Sequence, residues 1–256
     1  MKAARETSGA FDIRLWSGGS GGTPVLYLHG FEQHPGAAPF LQRLAERHPV
    51  RAPEHPGYGS SSGFEHIDDI FDVTLHYRRL IESWNLGPVD VVGHSLGGMF
   101  AAELAAVAPH LVRRLVLVSP YGLWLDEAPM PDPFVMTPPV LAAAKWADPA
   151  RASDETSAFD AAEGDSAATF RALNLAAATK FLWPIPDRGL QRRLQYVTAP
   201  TLVLRGEADG LFPAAYLNAW TSAVAGAKSL TIPGAGNLPM VEAEDSFITA
   251  VEGFLS

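Results

Sequence analysis

One serine stands where its residue type and its neighbours could do chemistry. In Val89-Asp90-Val91-Val92-Gly93-His94-Ser95-Leu96-Gly97-Gly98-Met99 a β-branched run leads into Gly93-x-Ser95-x-Gly97 and then an alanine-rich stretch. That order predicts strand, sharp turn and helix, with Ser95 at the apex. A serine at such an apex sits in a strained backbone, so the positions two before and two after must lack side chains. In exchange its hydroxyl stands clear of the sheet, at the positive N-terminal end of the next helix. This is the pattern of a nucleophile turn, against which stands a serine that merely caps an ordinary helix. The five letters recur by chance in other chains; the strand before and the helix after give them weight.

The rest of the chain supplies the elements that must hold that turn. Phe11, Ile13 and Leu15 alternate with polar residues, as in a half-buried strand. Ser17 to Gly22 reads as a flexible hairpin turn rather than a phosphate loop, because it leads into a strand and lacks the Gly-Lys-Ser/Thr ending. Pro24 to Leu28 and Leu115 to Val118 are continuous apolar runs, the mark of strands buried on both faces. Val50 to Pro53, Thr201 to Arg205 and Lys228 to Ile232 read as further strands, with helices near 40–45, 67–84, 96–108, 216–224 and 247–255. Repeated strand–helix units predict an α/β fold, a mostly parallel sheet flanked by helices. Ligands of such folds lie at the carboxyl ends of the strands, where Phe31, Ser95 and Asp209 all fall. From Tyr121 to Tyr196 prolines cluster, acids scatter and no strand pattern appears. The expected division is a core of 1–120 and 197–256, with 121–196 as an inserted helical cap.

Composition narrows the classes. The 256 residues are 47% hydrophobic, enough for a sizeable core. A net charge of -9 with no basic stripe argues against nucleic acid as a partner. No apolar run reaches the ~18 residues of a membrane span, and Met1 to Ala10 has no apolar leader, so a soluble cytoplasmic protein is expected. The absence of cysteine excludes disulfides and thiol catalysis. No pair of histidines is spaced i, i+4 with a nearby carboxylate, so neither a metal nor a cofactor is expected.

Six segments together resemble the α/β-hydrolase superfamily, in particular its compact, cofactor-free bacterial members with a helical cap. They are His29-Gly30-Phe31, Gly57-Tyr58-Gly59-Ser60, Gly93 to Gly98, Leu115 to Ser119, Gly206-Glu207-Ala208-Asp209 and Pro233-Gly234-Ala235-Gly236-Asn237. The resemblance implies that Ser95 is the nucleophile and that the backbone N–H groups of Phe31 and Leu96 form the oxyanion hole. Asp209 matches the acid that orients a histidine, and Ser119 leaves the alternative acid position unfilled. The histidine itself is missing. The family carries it after the last strand, where this chain has Gly236-Asn237, and the last of its eight histidines is His110. An amide has no lone pair basic enough to take a serine proton at neutral pH.

The expected function is therefore carboxylic-ester hydrolysis through an acyl-Ser95 intermediate, strongly impaired because Asn237 replaces the general base. The partner would be a small hydrophobic ester-type substrate or ligand. Two alternatives stand beside it: a small-molecule-binding protein without turnover, and a C–C bond hydrolase or lyase on the same fold. His34, in the loop after Phe31, is the candidate for a substitute base. His94 is expected to pack away from the turn with its own hydrogen bonds, His29 to brace the loop before Phe31, and His55 and His66 to be solvated. Arg188, Arg192 and Arg193 read as a solvated face. An Asn237 amide in the place of an imidazole N–H would donate to Asp209.

Overall fold

A computed structural model describes residues 1–32, 36, 38–155 and 165–256, the side chains of 165–168 excepted. Eight strands form one sheet: β1 (Lys2–Ser8), β2 (Phe11–Gly18), β3 (Val25–Leu28), β4 (Val50–Pro53), β5 (Val89–His94), β6 (Val112–Val118), β7 (Thr201–Gly206) and β8 (Lys228–Ile232). The helices are α1 (Pro39–Leu44), α2 (Ile70–Trp84), α3 (Leu96–Val107), α4 (Pro138–Lys145), α5 (Asp165–Leu182), α6 (Ala215–Ala223), α7 (Pro239–Glu242) and α8 (Glu244–Leu255). The strand order is β1-β2-β4-β3-β5-β6-β7-β8, parallel from β4 to β8 and antiparallel at β1 and β2.

The buried strands alternate between two cores, one on each face. Leu26, Leu28, Val91, Leu115, Leu117 and Val203 pack beneath α2 and α3. Val25, Tyr27, Val92, Val116, Val118, Leu202 and Leu204 pack beneath α1 and α8. Helix α2 starts on a capping box in which Asp69 and Asp72 satisfy each other's backbone N–H groups, and it ends at Asn85 in the left-handed region. Helix α3 is buried almost all round, because it lies between the sheet and other helices, which explains its alanine-rich composition. The segment 121–196 holds α4, α5 and short 3-10 turns, and no strand among its described residues. No helix among the described residues is long and apolar enough to cross a membrane.

Two features differ from the expectation. Ser17 to Gly22 does not close a hairpin, since β4 lies between β2 and β3. The run Val25–Leu28 takes parallel neighbours on both sides, β4 and β5, which leaves no edge for β2. The hairpin is instead β1–β2, turning through Gly9 at φ 65° and Ala10. Strand β1 is mostly exposed and polar on both faces, so it has no hydrophobic alternation to betray it.

Winding runs from β3 to β4 on one side and resumes at β5 on the other. Such a reversal opens a crevice at the carboxyl ends of the strands. The register pairs Leu28 with Gly93, His94 with Val118 and Val118 with Leu204. It therefore brings the loops after β3, β5, β6 and β7 side by side.

Candidate functional site

Ser95 sits between β5 and α3 with φ 54° and ψ -116°, a conformation that costs roughly 1–3 kcal/mol outside glycine. Its N–H donates to Val118 O at 2.8 Å, while its carbonyl accepts from Gly98 and Tyr121, so both flanks hold the turn. The neighbouring glycines are required by close approach. A Cβ on Gly93 would lie 2.4 Å from Gly97 O, and one on Gly97 would lie 2.2 Å from Leu28 O. Gly97 also donates to His29 O at 3.0 Å, which ties the serine turn to the loop that carries Gly30 and Phe31. Leu96 is the first helical residue, and both it and Phe31 are buried. Ser95 is only 1% exposed, and its Oγ has no hydrogen-bond partner.

Asp209 lies in the loop after β7 with every side of its carboxylate engaged. Oδ1 accepts from the N–H groups of Leu211 and Phe212, each at 2.9 Å. Oδ2 accepts from Ser119 Oγ at 2.6 Å and from Asn237 Nδ2 at 3.0 Å. Burial pushes this carboxyl up from its ordinary range, with the four hydrogen bonds working against that rise. The other end of the Asn237 amide faces His94, whose Nε2 lies 2.9 Å from Asn237 O and 3.2 Å from Asn237 Oδ1. Two acceptors on one ring nitrogen fix the proton at Nε2, and the carboxylate fixes the amide with Nδ2 towards Asp209. Burial, opposed by those bonds to Asn237, lowers the His94 imidazole to about 4. Its Nδ1 has no partner, and neither has Ser95 Oγ, so the two adjacent residues do not meet.

The site residues inferred from sequence thus divide. Asp209, Asn237 and Ser119 are in direct contact, and His94 joins them through Asn237. Ser95 contributes its backbone to the same corner, while its hydroxyl makes no hydrogen bond to any of these side chains. His34 lies outside the described residues. His29 braces its loop as expected, with Nδ1 at 2.9 Å from Gly30 O and Nε2 accepting from His55 N at 2.9 Å. His55 is not solvated but 1% exposed, stacked on His29 and bonded to Tyr77. The aromatic side chains around it shut out water, which the turn-rich sequence at 54–59 did not reveal. His66 is exposed. Arg193 departs from a solvated face too, since it forms a two-pronged pair with buried Glu103. Arg188 donates to the carbonyls of Lys180 and Trp183.

Sequence reasoning missed Lys145 and Glu32. The carbonyls at the end of α4, Ala144 O and Lys145 O, accept from Gly210 N at 2.8 Å and Asn237 N at 2.7 Å. They dock the loops of Asp209 and Asn237 onto one helix end. The Lys145 ammonium, 2% exposed, bonds Glu32 at 2.8 Å and Glu155 at 2.6 Å, and Arg171 of α5 bonds Glu32 at 2.7 Å. Burial opposes the charge on Lys145, but the two carboxylates outweigh it and hold the ammonium protonated. Glu32 follows Phe31, whose carbonyl accepts from Tyr58 Oη at 3.1 Å. The one signal available was a lysine inside the apolar patch Leu141–Trp146, which also reads as a favourable cation at a helix end. Among the described residues, no group of three or more His, Cys, Asp or Glu side chains could hold a metal ion.

Comparison with known proteins agrees with this fold. The chain is 29% identical over 255 residues to the pimeloyl-[acyl-carrier protein] methyl ester esterase of Xanthomonas campestris pv. campestris, covering 92% of this chain and 96% of that protein. A membrane phospholipase A structure superposes with a TM-score of 0.80 at 21% identity, over 99% of this chain and 85% of the other. The 2-hydroxy-6-oxo-6-phenylhexa-2,4-dienoate hydrolase of Rhodococcus gives a TM-score of 0.78 at 20% identity, over 99% and 98%. At those identities the likeness is one of fold. The family model for alpha/beta hydrolases matches residues 25–250, and the chain belongs to the alpha/beta hydrolase family.

Proposed function

We propose that this chain is an ester-hydrolase scaffold built to acylate Ser95, with turnover strongly reduced because residue 237 cannot accept a proton. The observation that carries this reading is the 3.0 Å bond from Asn237 Nδ2 to Asp209 Oδ2, together with a buried Ser95 hydroxyl that has no acceptor. Asn237 there occupies the place of an imidazole N–H, and supplies that donor without the lone pair. The esterase relative, aligned over 92% of the chain, supports an acyl ester as substrate class.

In the complete reaction Ser95 Oγ adds to the acyl carbon while a base at 237 takes its proton and passes it to the departing alcohol. The N–H groups of Phe31 and Leu96 hold the oxyanion, and Asp209 orients the base. Water then releases the acid by the same path in reverse. With an amide at 237, both the attack and the release lack their proton carrier. The described residues of 121–196 act as a cap over this corner: Trp124, Met130, Phe134 and Phe181 offer apolar surface, and the cap contributes Lys145 to the polar network.

The test is Asn237→His, assayed on a panel of short and medium-chain methyl and aryl esters. Hydrolysis is expected to rise about a thousandfold or more, and a second change, Ser95→Ala, to abolish the gain. An inert Asn237→His protein that still binds esters would favour a binding protein without turnover. Brisk hydrolysis by the unmodified chain would expose a substitute base.

A further inference from the structure

The turn after β6 carries a second hydroxyl that the fold leaves unpaired. Tyr121 is 4% exposed, and its Oη has no hydrogen-bond partner. Its backbone N–H donates to Ser95 O at 3.1 Å, which fixes the residue beside the serine turn. The ring packs edge-on against Phe31, with centroids 6.3 Å apart, and Phe31 packs in turn on Phe134 at 6.1 Å. Burial, together with the carboxylates of Asp209, Glu32 and Asp132, keeps the phenol protonated and so a donor. Native proteins seldom retain a buried donor without an acceptor, since the group has lost water and gained nothing for it. Ser95 Oγ, in the adjoining turn, is in the same state. Of the three such hydroxyls among the described residues, that of Ser95 is accounted for by the acyl chemistry above, that of Tyr27 lies in the core beneath α1, and that of Tyr121 alone adjoins the serine turn without a role.

We infer that Tyr121 is a ligand-binding residue of this site, its phenol O–H donating to an oxygen of a bound, uncharged acyl ester. The inference rests on the acyl reading proposed above and adds to it a residue and a charge preference. Lys145 and Arg171 meet the charge of Glu32, whereas among the described residues neither Asp209 nor Asp132 is in an ion pair. A carboxylate ligand would meet those unpaired charges in a poorly solvated place, and a neutral ester would not. Trp124, Met130, Pro133, Leu182 and Pro184 line a cleft of only about 20 Å³ with Tyr121, so the hydrocarbon part of a ligand must displace some of these side chains.

Tyr121→Phe in the otherwise unmodified chain tests this, with dimethyl pimelate and the pimelate dianion as probes in calorimetric titrations. The variant is expected to bind the diester about tenfold more weakly while its Tm holds or rises, because no bond within the fold is lost. A residue that served only packing would give the opposite result, a lower Tm and an unchanged Kd, and would overturn the inference. So would a dianion bound as tightly as the diester by the unmodified chain. In the Asn237→His protein, the same change should lower kcat/KM for the diester by a similar factor. Equal Kd values for the chain with and without Tyr121→Phe would sink this residue's role and leave the acyl reading standing. Failure of both the unmodified chain and Asn237→His to bind or cleave any ester would end the acyl reading, and this inference with it.

Discussion

Two buried aspartates mark opposite ends of the sheet, and their partners differ in kind. Asp90, at the amino end of β5, is fully buried and receives a two-pronged guanidinium from Arg113, with contacts of 2.8 and 2.5 Å. Arg113 also donates to Leu255 O, so the pair fastens the last helix to the sheet. Asp209, at the carboxyl end, is buried too, at 4% exposed, and has only neutral donors: a hydroxyl, an amide and two backbone N–H groups. One charge is balanced inside the fold; the other is held by dipoles alone. A carboxylate kept in that state is poised to stabilise a positive group beside it, the role of an acid next to an imidazole. On the function proposed above, the contrast separates a structural end of the sheet from a chemical one.

Acid should widen the contrast most. Burial lowers the imidazoles of His55 to about 3 and of His76 and His94 to about 4. An unfolded chain, with histidines near 6.5, then binds more protons than the native one as pH falls below that value. The stability these groups contribute is complete above pH 6.5 and drains away between there and pH 4 to 3. Asp209, pushed upward, works in the other direction, since its protonation favours the folded state. Urea midpoints at pH 7.5 and 4.5 should therefore fall steeply with acid, and less so for His94→Gln. A flat profile would deny that these rings are buried neutral.

At the structural end, Arg113→Met should cost about 3 kcal/mol, because it strands a buried carboxylate, and thermal unfolding would show it. At the chemical end, Asn237→Leu should cost about 2 kcal/mol, the loss of one donor to Asp209 and one acceptor for His94. Reversal of that order would mean that the amide network, not the ion pair, is the greater support. The smallest effect expected is that of Ser119→Ala, about 1 kcal/mol in urea unfolding. It should also move the Asp209 titration further upward, as followed by carboxyl NMR.

Much of this was legible before any coordinates. The apolar runs at Pro24–Leu28 and Leu115–Val118 announced buried parallel strands, and Gly93 and Gly97 announced a turn too tight for side chains. Strand β1 was not legible, because all but its last residue are at least partly exposed and it pairs through its backbone. Lys145 was invisible for another reason: its carboxylates sit 113 and 10 residues away along the chain, and nothing local distinguishes it from a cation at a helix end. Arg193 and His55 misled similarly, each polar in sequence and enclosed by groups that arrive from elsewhere.

By itself the sequence determined that a serine would stand on a strand-to-helix turn and that no histidine would follow His110. Both are local properties, one of steric room and one of chemical content. Only the tertiary structure decided how the Asn237 amide points. Its Nδ2 meets a carboxylate 28 residues back and its Oδ1 an imidazole 143 residues back, and strand register together with the docking of both loops onto the end of α4 brings those groups within bonding distance. The same register left the hydroxyls of Ser95 and Tyr121 without partners, because an unmet hydrogen bond depends on everything that surrounds it in space.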